Sequence, residues 1–251
     1  MEISRSKWDN FIKCPLCFYL QEKHKIYPPS TPRFTINMRV DSLLKEEFDE
    51  LRAKGKPHPI FKAYNLNFVP YNGLGPETLK KYRYNRGGVR AISKKTDIEI
   101  FGALDDLWLN NDTEEIIVLD YKATSTKNLE DYTISQKHYH VGYRRQLDFY
   151  AYLLKLNDFK VHDTGYWLIC NATDGEQKTF NQKVNFKTTL LPYKLNTDYI
   201  EDTLVDLKAC LESDKYPSSG KDCDNCRWYN EKKNLGDTIR LNAEKNQKVK
   251  E

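Results

Sequence analysis

Long apolar runs are missing from this sequence. The longest run, residues 149–154, has six apolar residues, whereas a helix needs about 20 to cross a bilayer. Residues 1–7 also lack the apolar segment of a secretory signal. We therefore expect no membrane partner and a cytoplasmic location.

A large excess of either charge is missing as well. The chain has 40 Lys and Arg against 36 Asp and Glu, a formal net charge of +4. This total does not establish a nucleic-acid partner, because nearly balanced charges can still be segregated into patches. A nucleic-acid partner therefore has to be inferred from the positions of the charged residues.

No internal repeat or interior linker interrupts the 251 residues, and the 13% aromatic content argues against a disordered chain. The length is sufficient to bury a core without disulfides. We predict one α/β domain over residues 1–230. Residues 231–251 carry few apolar and many charged side chains, and we expect a mobile tail there.

The spacing of apolar residues predicts four helices and two strand pairs. Helical spacing indicates one helix that begins near Ser4 and three further helices at residues 34–52, 141–156 and 199–211. Period-two alternation and turn signals indicate two strand pairs, 98–109 with 115–124 and 164–171 with 177–186. The first pair reads as a β-hairpin, because an Asn-Asn-Asp turn separates its strands.

The clearest chemical pattern is a Gly-Ala-Leu-Asp-Asp segment at residues 102–106 followed by Asp-Tyr-Lys at 120–122. Strand alternation places Asp120 and Lys122 on one face. If the hairpin pairs, one acid of the first segment approaches Asp120. Carboxylates held together repel each other, and a divalent cation relieves the repulsion. A surface hairpin with a structural Asp–Lys ion pair is the alternative.

Such a site suits the hydrolysis of a phosphodiester. That reaction uses one or two hard cations to activate a water and neutralise the developing charge, with a cationic group beside the water. Oxygen ligands favour Mg²⁺ or Mn²⁺. Lys122 is placed to orient the water or to stabilise the pentavalent phosphorane.

Three motifs follow one another along the chain. Residues 102–105 resemble a Gly-x-x-Asp motif, residues 118–122 an Asp-x-Lys strand, and residues 146–150 a Gln-x-x-x-Tyr helix motif. With them, residues 4–230 resemble the PD-(D/E)XK nuclease superfamily, and within it the RecB-like exonucleases, which include the CRISPR-associated adaptation nuclease. The resemblance implies an α/β fold with a restriction-endonuclease-like core, in which helices flank a central mixed β-sheet.

The resemblance also implies roles for individual residues. It favours Asp105 over Asp106 as a metal ligand, and the carbonyl of Tyr121 is a further candidate ligand. Gln146 and Tyr150 share a helix face at i and i+4. They are expected to contact DNA phosphates or to support the metal site.

One position departs from the family pattern. Where the family has a metal-binding His on the helix before the hairpin, residues 36–41 offer Asp41. Asp is a hard ligand, so this replacement would shift metal preference away from softer ions. Asp41 is either a third metal ligand or a helix acid without a metal role.

Two Cys-x-x-Cys pairs lie near the two ends, Cys14 with Cys17 and Cys223 with Cys226. Intracellular cysteines more often remain thiols or bind metal than form disulfides. We expect the four to form one site that joins the termini and holds zinc or an iron–sulfur cluster. Iron–sulfur RecB-like nucleases have a similar layout with three C-terminal cysteines, so Cys17 would supply the fourth ligand here.

Two stretches combine cations with aromatic rings, as single-strand binding grooves do. They carry the predicted nucleic-acid contacts Lys80, Lys81, Arg83, Arg86, His140, Arg144 and Arg145. Solvated helix faces with buried tyrosine rings are the alternative for each stretch. We expect a DNA partner, single-stranded or bound at an end.

Together these patterns predict a metal-dependent DNA nuclease with Mg²⁺ or Mn²⁺ as cofactor and with catalytic residues Asp105, Asp120, Lys122, Gln146 and Tyr150. The RecB-like resemblance favours an exonuclease that acts in repair, recombination or CRISPR-type processing. The alternatives are an endonuclease and a non-catalytic nucleic-acid-binding protein on a decayed nuclease fold.

Overall fold

The structure, a computed structural model, describes residues 1–32, 34–172 and 179–248. Its helices are α1 (Arg5–Lys13), α2 (Pro15–His24), α3 (Thr35–Ala53), α4 (Pro59–Ala63), α5 (Gly75–Tyr82), α6 (Asp131–Ile134), α7 (His138–Leu156), α8 (Ile200–Glu212) and α9 (Asp224–Lys248). Its strands are β1 (Glu2–Ser4), β2 (Phe68–Pro70), β3 (Val89–Ile92), β4 (Glu99–Gly102), β5 (Asp106–Asn110), β6 (Glu115–Thr124), β7 (Thr164–Ala172) and β8 (Phe186–Lys194). None of the described helices is both long and apolar enough to cross a membrane.

The chain divides into two compact units. The first consists of Met1–Ser6 and Pro32–Leu204, and the second of Lys7–Thr31 and Val205–Glu251. This division differs from the predicted one, which has a single domain over residues 1–230 followed by a mobile tail. The predicted division stays a prediction. Helix α9 occupies the predicted tail as far as Lys248.

Two sheets form the framework of the first unit. The larger sheet has the strand order β2-β5-β6-β7-β8, in which β6 and β7 are parallel and the other neighbours antiparallel. The smaller sheet has the order β1-β4-β3. Helix α3 contacts β6, and helix α7 contacts β3, β4 and β6. The predicted α/β fold with helices around a central mixed sheet is confirmed.

Strand β6 lies in the middle of the larger sheet, and it is buried on both faces. Leu119 and Tyr121 on one face join a core cluster with Phe48 of α3 and Trp108 of β5. The pleat directs Asp120 to the other face. A carboxylate therefore lies on the central strand, where its desolvation is costly unless a partner compensates for it.

The prediction of a single strand at 98–109 was wrong, because this segment forms two strands that lie in different sheets. Strand β4 ends at Gly102, and strand β5 begins at Asp106. Leu104 lies between them yet is buried, so it continues the apolar alternation across the break. The hairpin of β5 with β6 is confirmed. Asp105 lies at the crossing between the sheets, immediately before the hairpin.

The second strand pair was predicted correctly in one strand only. Strand β7 agrees with the prediction at 164–171, whereas its partner β8 is Phe186–Lys194 and not 177–186. Residues 177 and 178 lie outside the described residues, and 179–185 form no strand. Strand β8 is an edge strand in which Leu190 is buried and most side chains are exposed, so apolar alternation is too weak to reveal it.

Gly102 allows helix α7 to pack against the end of strand β4. A Cβ atom on Gly102 would lie 2.8 Å from Cε1 of Tyr150. A side chain here would therefore displace the ring. The glycine of the Gly-x-x-Asp segment positions α7, and with it Tyr150 and Gln146 one turn earlier.

Candidate functional site

Two carboxylates meet where strand β5 begins and strand β6 approaches its end. Oδ2 of Asp105 accepts a 2.9 Å hydrogen bond from the main-chain N–H of Tyr121, the residue that follows Asp120, and the charge of Asp105 helps to raise the pKa of Asp120. The prediction that an acid of the 102–106 segment approaches Asp120 is confirmed, and that acid is Asp105.

The neighbouring Asp106 belongs to a different network. Its fully buried carboxylate pairs with the guanidinium groups of Arg52 and Arg83 and accepts a 2.8 Å hydrogen bond from the Tyr121 hydroxyl. Burial raises the pKa of Asp106, although Arg83 and Arg52 oppose the shift. Asp106 is thus a core residue, and the choice of Asp105 over Asp106 agrees with the structure.

Lys122 links the carboxylates to helix α7. Its ammonium pairs with Asp120, lies 3.5 Å from Oε1 of Gln146 and lies 4.5 Å from the ring centroid of Tyr143. Nε2 of Gln146 in turn donates a 3.1 Å hydrogen bond to the hydroxyl of Tyr150. The structure therefore brings together all five residues that were predicted to be catalytic.

Lys45 is a member of this site that sequence reasoning missed. Its Nζ lies 2.8 Å from Oδ2 of Asp41 and 3.2 Å from Oδ1 of Asp105. Asp41 and Lys45 are four residues apart on α3, which is the spacing of a helical ion pair. That spacing was visible in the sequence, but nothing there connects Lys45 with Asp105.

A cavity of about 210 Å³ lies next to this site and is lined by two of its side chains, Asp41 and Lys122. At about 30 Å³ for each water in the liquid, it holds several waters. Helix α3, strand β6 and helix α7 supply its lining, which is Asn37, Val40, Asp41, Leu44, Tyr121, Lys122, Ala123 and Tyr143.

The two carboxyl groups have pKa shifts of opposite sign. Burial raises the pKa of Asp120, and the charge of Asp105 adds to the increase while Lys122 opposes it. Burial also disfavours the ionised form of Asp105, but Lys45 and Lys122 outweigh it and lower the pKa. The pKa values of two adjacent carboxyl groups move apart in this way, because ionisation of one group penalises ionisation of the other.

The donor set fits a hard divalent cation. Asp120 is 1% exposed; its Oδ2 pairs with the Lys122 ammonium, and its Oδ1 accepts no hydrogen bond from the described residues. Buried oxygens without such partners cost free energy unless another group satisfies them. Carboxylate oxygens are the ligands that Mg²⁺ and Mn²⁺ prefer. Asp105 and Asp120 are placed to hold such an ion, whereas ligand roles for Asp41 and the Tyr121 carbonyl stay predictions.

Three of the predicted nucleic-acid contacts are exposed: Lys80, Lys81 and Arg86. Lys80 and Lys81 line a second cavity of about 870 Å³ together with Arg83. The guanidinium of Arg83, however, is held by Asp49 at 2.6 Å and by Asp106 at 3.0 Å. Arg83 therefore has a structural role, which the charge pattern did not indicate.

The second basic stretch is also engaged within the protein. His140 is 5% exposed and its ring lies 5.0 Å from that of Tyr132, so the prediction of a surface position in contact with DNA does not agree with the structure. Arg144 donates hydrogen bonds to the carbonyls of Tyr132 and Ser135. Arg145 is half-buried. DNA contacts by the two arginines stay predictions.

The four cysteines of the two Cys-x-x-Cys pairs converge in the second unit. Their sulfurs all lie within 4.8 Å of one another. Cys17 Sγ is 3.5 Å from Cys223 Sγ and 3.6 Å from Cys226 Sγ, and Cys14 Sγ is 3.7 Å from Cys226 Sγ. The prediction that segments near both termini meet at a four-cysteine site is confirmed.

Main-chain groups support a thiolate at Cys14. Its sulfur accepts hydrogen bonds from the N–H of Gly220 at 3.1 Å and of Cys17 at 3.4 Å. Burial disfavours the thiolate, but these hydrogen bonds outweigh it and lower the pKa of Cys14. Burial and the neighbouring Cys223 raise the pKa of Cys17. Four such thiols require a metal ion if all are to be deprotonated together.

Gly220 is required at this site by its close approach to helix α1. A Cβ atom there would lie 2.0 Å from the carbonyl oxygen of Lys13. Only glycine can bring its N–H to the Cys14 sulfur from this position.

Comparison with known proteins identifies the family. A comparison with curated proteins finds no match to this chain. Residues 2–230 match the sequence profile of the PD-(D/E)XK nuclease superfamily. The chain belongs to the PD-(D/E)XK nuclease superfamily.

Proposed function

We propose that this protein is a metal-dependent DNA nuclease that hydrolyses phosphodiester bonds at Asp105, Asp120 and Lys122. The observation that carries the proposal is the proximity of the half-buried Asp105 carboxylate, just before the hairpin, to the buried Asp120 carboxylate, with the Lys122 ammonium paired to Asp120. A structural ion pair between Asp120 and Lys122 alone does not account for the second carboxylate next to Asp120 or for the cavity that Lys122 lines.

Mg²⁺ or Mn²⁺ held by Asp105 and Asp120 would supply the Lewis acidity that activates water and neutralises the phosphate. Lys122 contributes a fixed positive charge at the same place. The Lys122 side chain is 16% exposed, and a charge in such a poorly solvated position interacts more strongly than it does in water. Lys122 can therefore orient the attacking water and stabilise the charge of the phosphorane.

Gln146 and Tyr150 hold Lys122 in place. The amide of Gln146 is oriented because its nitrogen donates to the Tyr150 hydroxyl while its oxygen faces the Lys122 ammonium. Tyr150 is itself fixed by packing against Gly102. The orientation of the Lys122 ammonium thus depends on a series of contacts from strand β4 through helix α7.

Single-stranded DNA, or a DNA end, is the substrate that we propose. Tyr143 lines the cavity, and the aromatic ring of Phe34, three residues before the cavity residue Asn37, is exposed. Unpaired bases can stack on such side chains, whereas bases in a duplex cannot. The RecB-like resemblance of the motifs supports exonuclease action and a place in repair, recombination or CRISPR-type processing.

For the four-cysteine site we propose a single tetrahedral zinc ion. Four sulfurs at about 2.3 Å from zinc lie about 3.8 Å apart; three pairs of these sulfurs are separated by 3.5–3.7 Å, and all four lie within 4.8 Å of one another. In an iron–sulfur cluster the cysteines bind different irons, so the cluster itself separates their sulfurs. Metal analysis and an absorbance spectrum of anaerobically purified protein distinguish the two, because only the cluster absorbs visible light.

The nuclease proposal is tested with three end-labelled or circular substrates: linear single-stranded DNA, blunt duplex DNA and circular single-stranded DNA. Each is incubated with the full chain in Mg²⁺, Mn²⁺ or EDTA. We expect metal-dependent degradation of the linear single strand and resistance of the circle, because an exonuclease needs an end. Cleavage of the circle would show an endonuclease. DNA binding without cleavage in either metal would support the non-catalytic alternative and overturn the proposal.

A further inference from the structure

We propose that Lys45 takes the place of a second divalent ion, so that the active site binds one Mg²⁺ or Mn²⁺ only. The inference rests on the proposed nuclease function and extends it by fixing the number of ions. Phosphodiester hydrolysis proceeds with one or with two hard cations, and neither the motifs nor the fold decides between them.

The position of Lys45 is that of a bridging cation. Its Nζ lies 2.8 Å from a carboxylate oxygen of Asp41 and 3.2 Å from one of Asp105. The side chain is 21% exposed, so water screens these contacts only in part. The ammonium therefore connects a helix acid with a ligand of the first ion, as a second metal ion between the two carboxylates would do.

The formal charges of the site also favour a single ion. Three carboxylates, Asp41, Asp105 and Asp120, face the two ammonium groups of Lys45 and Lys122. These groups leave one net negative charge. One divalent ion changes the net charge to one positive charge, whereas two ions would give three positive charges in a partly buried site, and like charges repel strongly there.

This arrangement gives Asp41 a defined role. Oδ2 of Asp41 accepts a 2.8 Å hydrogen bond from the Lys45 ammonium. Asp41 therefore anchors Lys45 and does not bind the metal ion. If Lys45 were removed, Asp41 and Asp105 would be two free carboxylates on either side of an uncompensated space, which is a site for a second hard cation.

Lys54, the residue that follows helix α3, provides a matched control. It forms an i, i+4 ion pair with Glu50 at 3.6 Å, and both side chains are mostly exposed. Lys45 and Lys54 therefore resemble each other in helical pairing. They differ in that Lys45 also contacts Asp105.

The test counts Mn²⁺ ions by calorimetric titration and by electron paramagnetic resonance of the full chain. Only Mn²⁺ sites that are lost on Asp105→Asn substitution are counted, so that Mn²⁺ bound elsewhere on the protein is left out. We expect one such site in the wild type, in Lys54→Ala and in Asp41→Asn. In Lys45→Ala we expect two, and in the double variant Lys45→Ala with Asp41→Asn again one. Lys45→Gln repeats the measurement with a side chain of similar length, and circular dichroism checks each fold.

Two Asp105-dependent ions in the wild type would overturn the inference, and this count needs no variant at Lys45. An unchanged single site of unchanged affinity in both Lys45 variants would also overturn it, while the nuclease proposal would stand. No Asp105-dependent ion in the wild type would contradict the proposed function itself, and the inference with it.

Discussion

Nε of Arg83 donates a 2.9 Å hydrogen bond to the main-chain carbonyl of Asp105. The other nitrogens of the same guanidinium pair with Asp49 and Asp106. Arg83 therefore fixes the backbone at the crossing between the two sheets, where the acid of the site lies. A residue that reads as a DNA contact in the sequence is a positioning residue in the structure.

We expect Arg83→Met to lower the free energy of unfolding by about 3–5 kcal/mol, because it leaves the buried Asp106 with one partner fewer. The exposed Arg86→Met on the following turn should change it by less than about 0.5 kcal/mol. Urea denaturation measures both. If Arg83→Met were as stable as the wild type and lost only DNA affinity, the DNA-contact interpretation of Arg83 would be right after all.

Gly102→Ala tests the packing of helix α7 on strand β4. The added methyl group would meet the Tyr150 ring at 2.8 Å, and overpacking of this kind costs about 1–3 kcal/mol. We expect a lower midpoint of thermal unfolding and slower cleavage, since Gln146 moves with Tyr150. Gly236→Ala, at a helix position with no atom within 4 Å of the new Cβ, should not lower the midpoint. Equal effects of both substitutions would contradict the packing argument.

Asp148 gives the stability of the first unit a distinctive pH dependence. Burial raises its pKa to about 6 from an ordinary value of 3.8, against hydrogen bonds from Asn196, Tyr199 and Tyr193. Between these pH values the native state binds more protons than the unfolded state, so the free energy of unfolding falls as pH rises, by up to about 3 kcal/mol.

Asp148→Asn removes this titration. Relative to the wild type, the variant should therefore gain stability as the pH rises from 4 to 7, and urea denaturation at several pH values measures the difference. The exposed Asp202→Asn serves as the control and should show no such trend. A difference between Asp148→Asn and wild type that is constant with pH would show that Asp148 is not the responsible group.

The convergence of four sulfurs predicts which cysteines bind the metal ion. Cys17→Ser should lower the metal content of the purified protein to a small fraction of one ion for each chain, because it removes one of four converging sulfurs. Cys210→Ser, outside this group, should retain the full content. Metal analysis of both proteins decides the matter, and an unchanged content in Cys17→Ser would mean that the metal is bound elsewhere.

The sequence was sufficient for the elements with strong periodic patterns. Helix α3 lies within one residue of its prediction at 34–52, and the hairpin was found from alternation on both sides of its turn. The placement of Asp120 and Lys122 on one strand face, with an acid of the 102–106 segment nearby, followed from strand pairing and pleat direction, whereas the choice of Asp105 over Asp106 came from the family resemblance. The cysteine site was found because its ligands occur as two spaced pairs.

What the sequence did not reveal depends on contacts between distant segments. Lys45 reaches Asp105 across 60 positions, and Arg83 reaches Asp106 across 23. No periodicity records such pairs, so both residues appeared as ordinary charges. Leu104 concealed the change of sheet because its burial continues the pattern of β4. His140 appeared in a basic stretch although tyrosine rings surround it.

The most direct test of the central claim is the rate of Mn²⁺-dependent cleavage of single-stranded DNA by Lys122→Ala, measured in a single turnover. The account predicts a loss of at least about 10²-fold, as for removal of one group that stabilises a transition state, with the folded circular dichroism spectrum retained. Lys160→Ala removes the exposed pair with Glu115 at the other end of β6 and should cleave at the wild-type rate. A Lys122→Ala protein that cleaves as fast as Lys160→Ala would contradict the account.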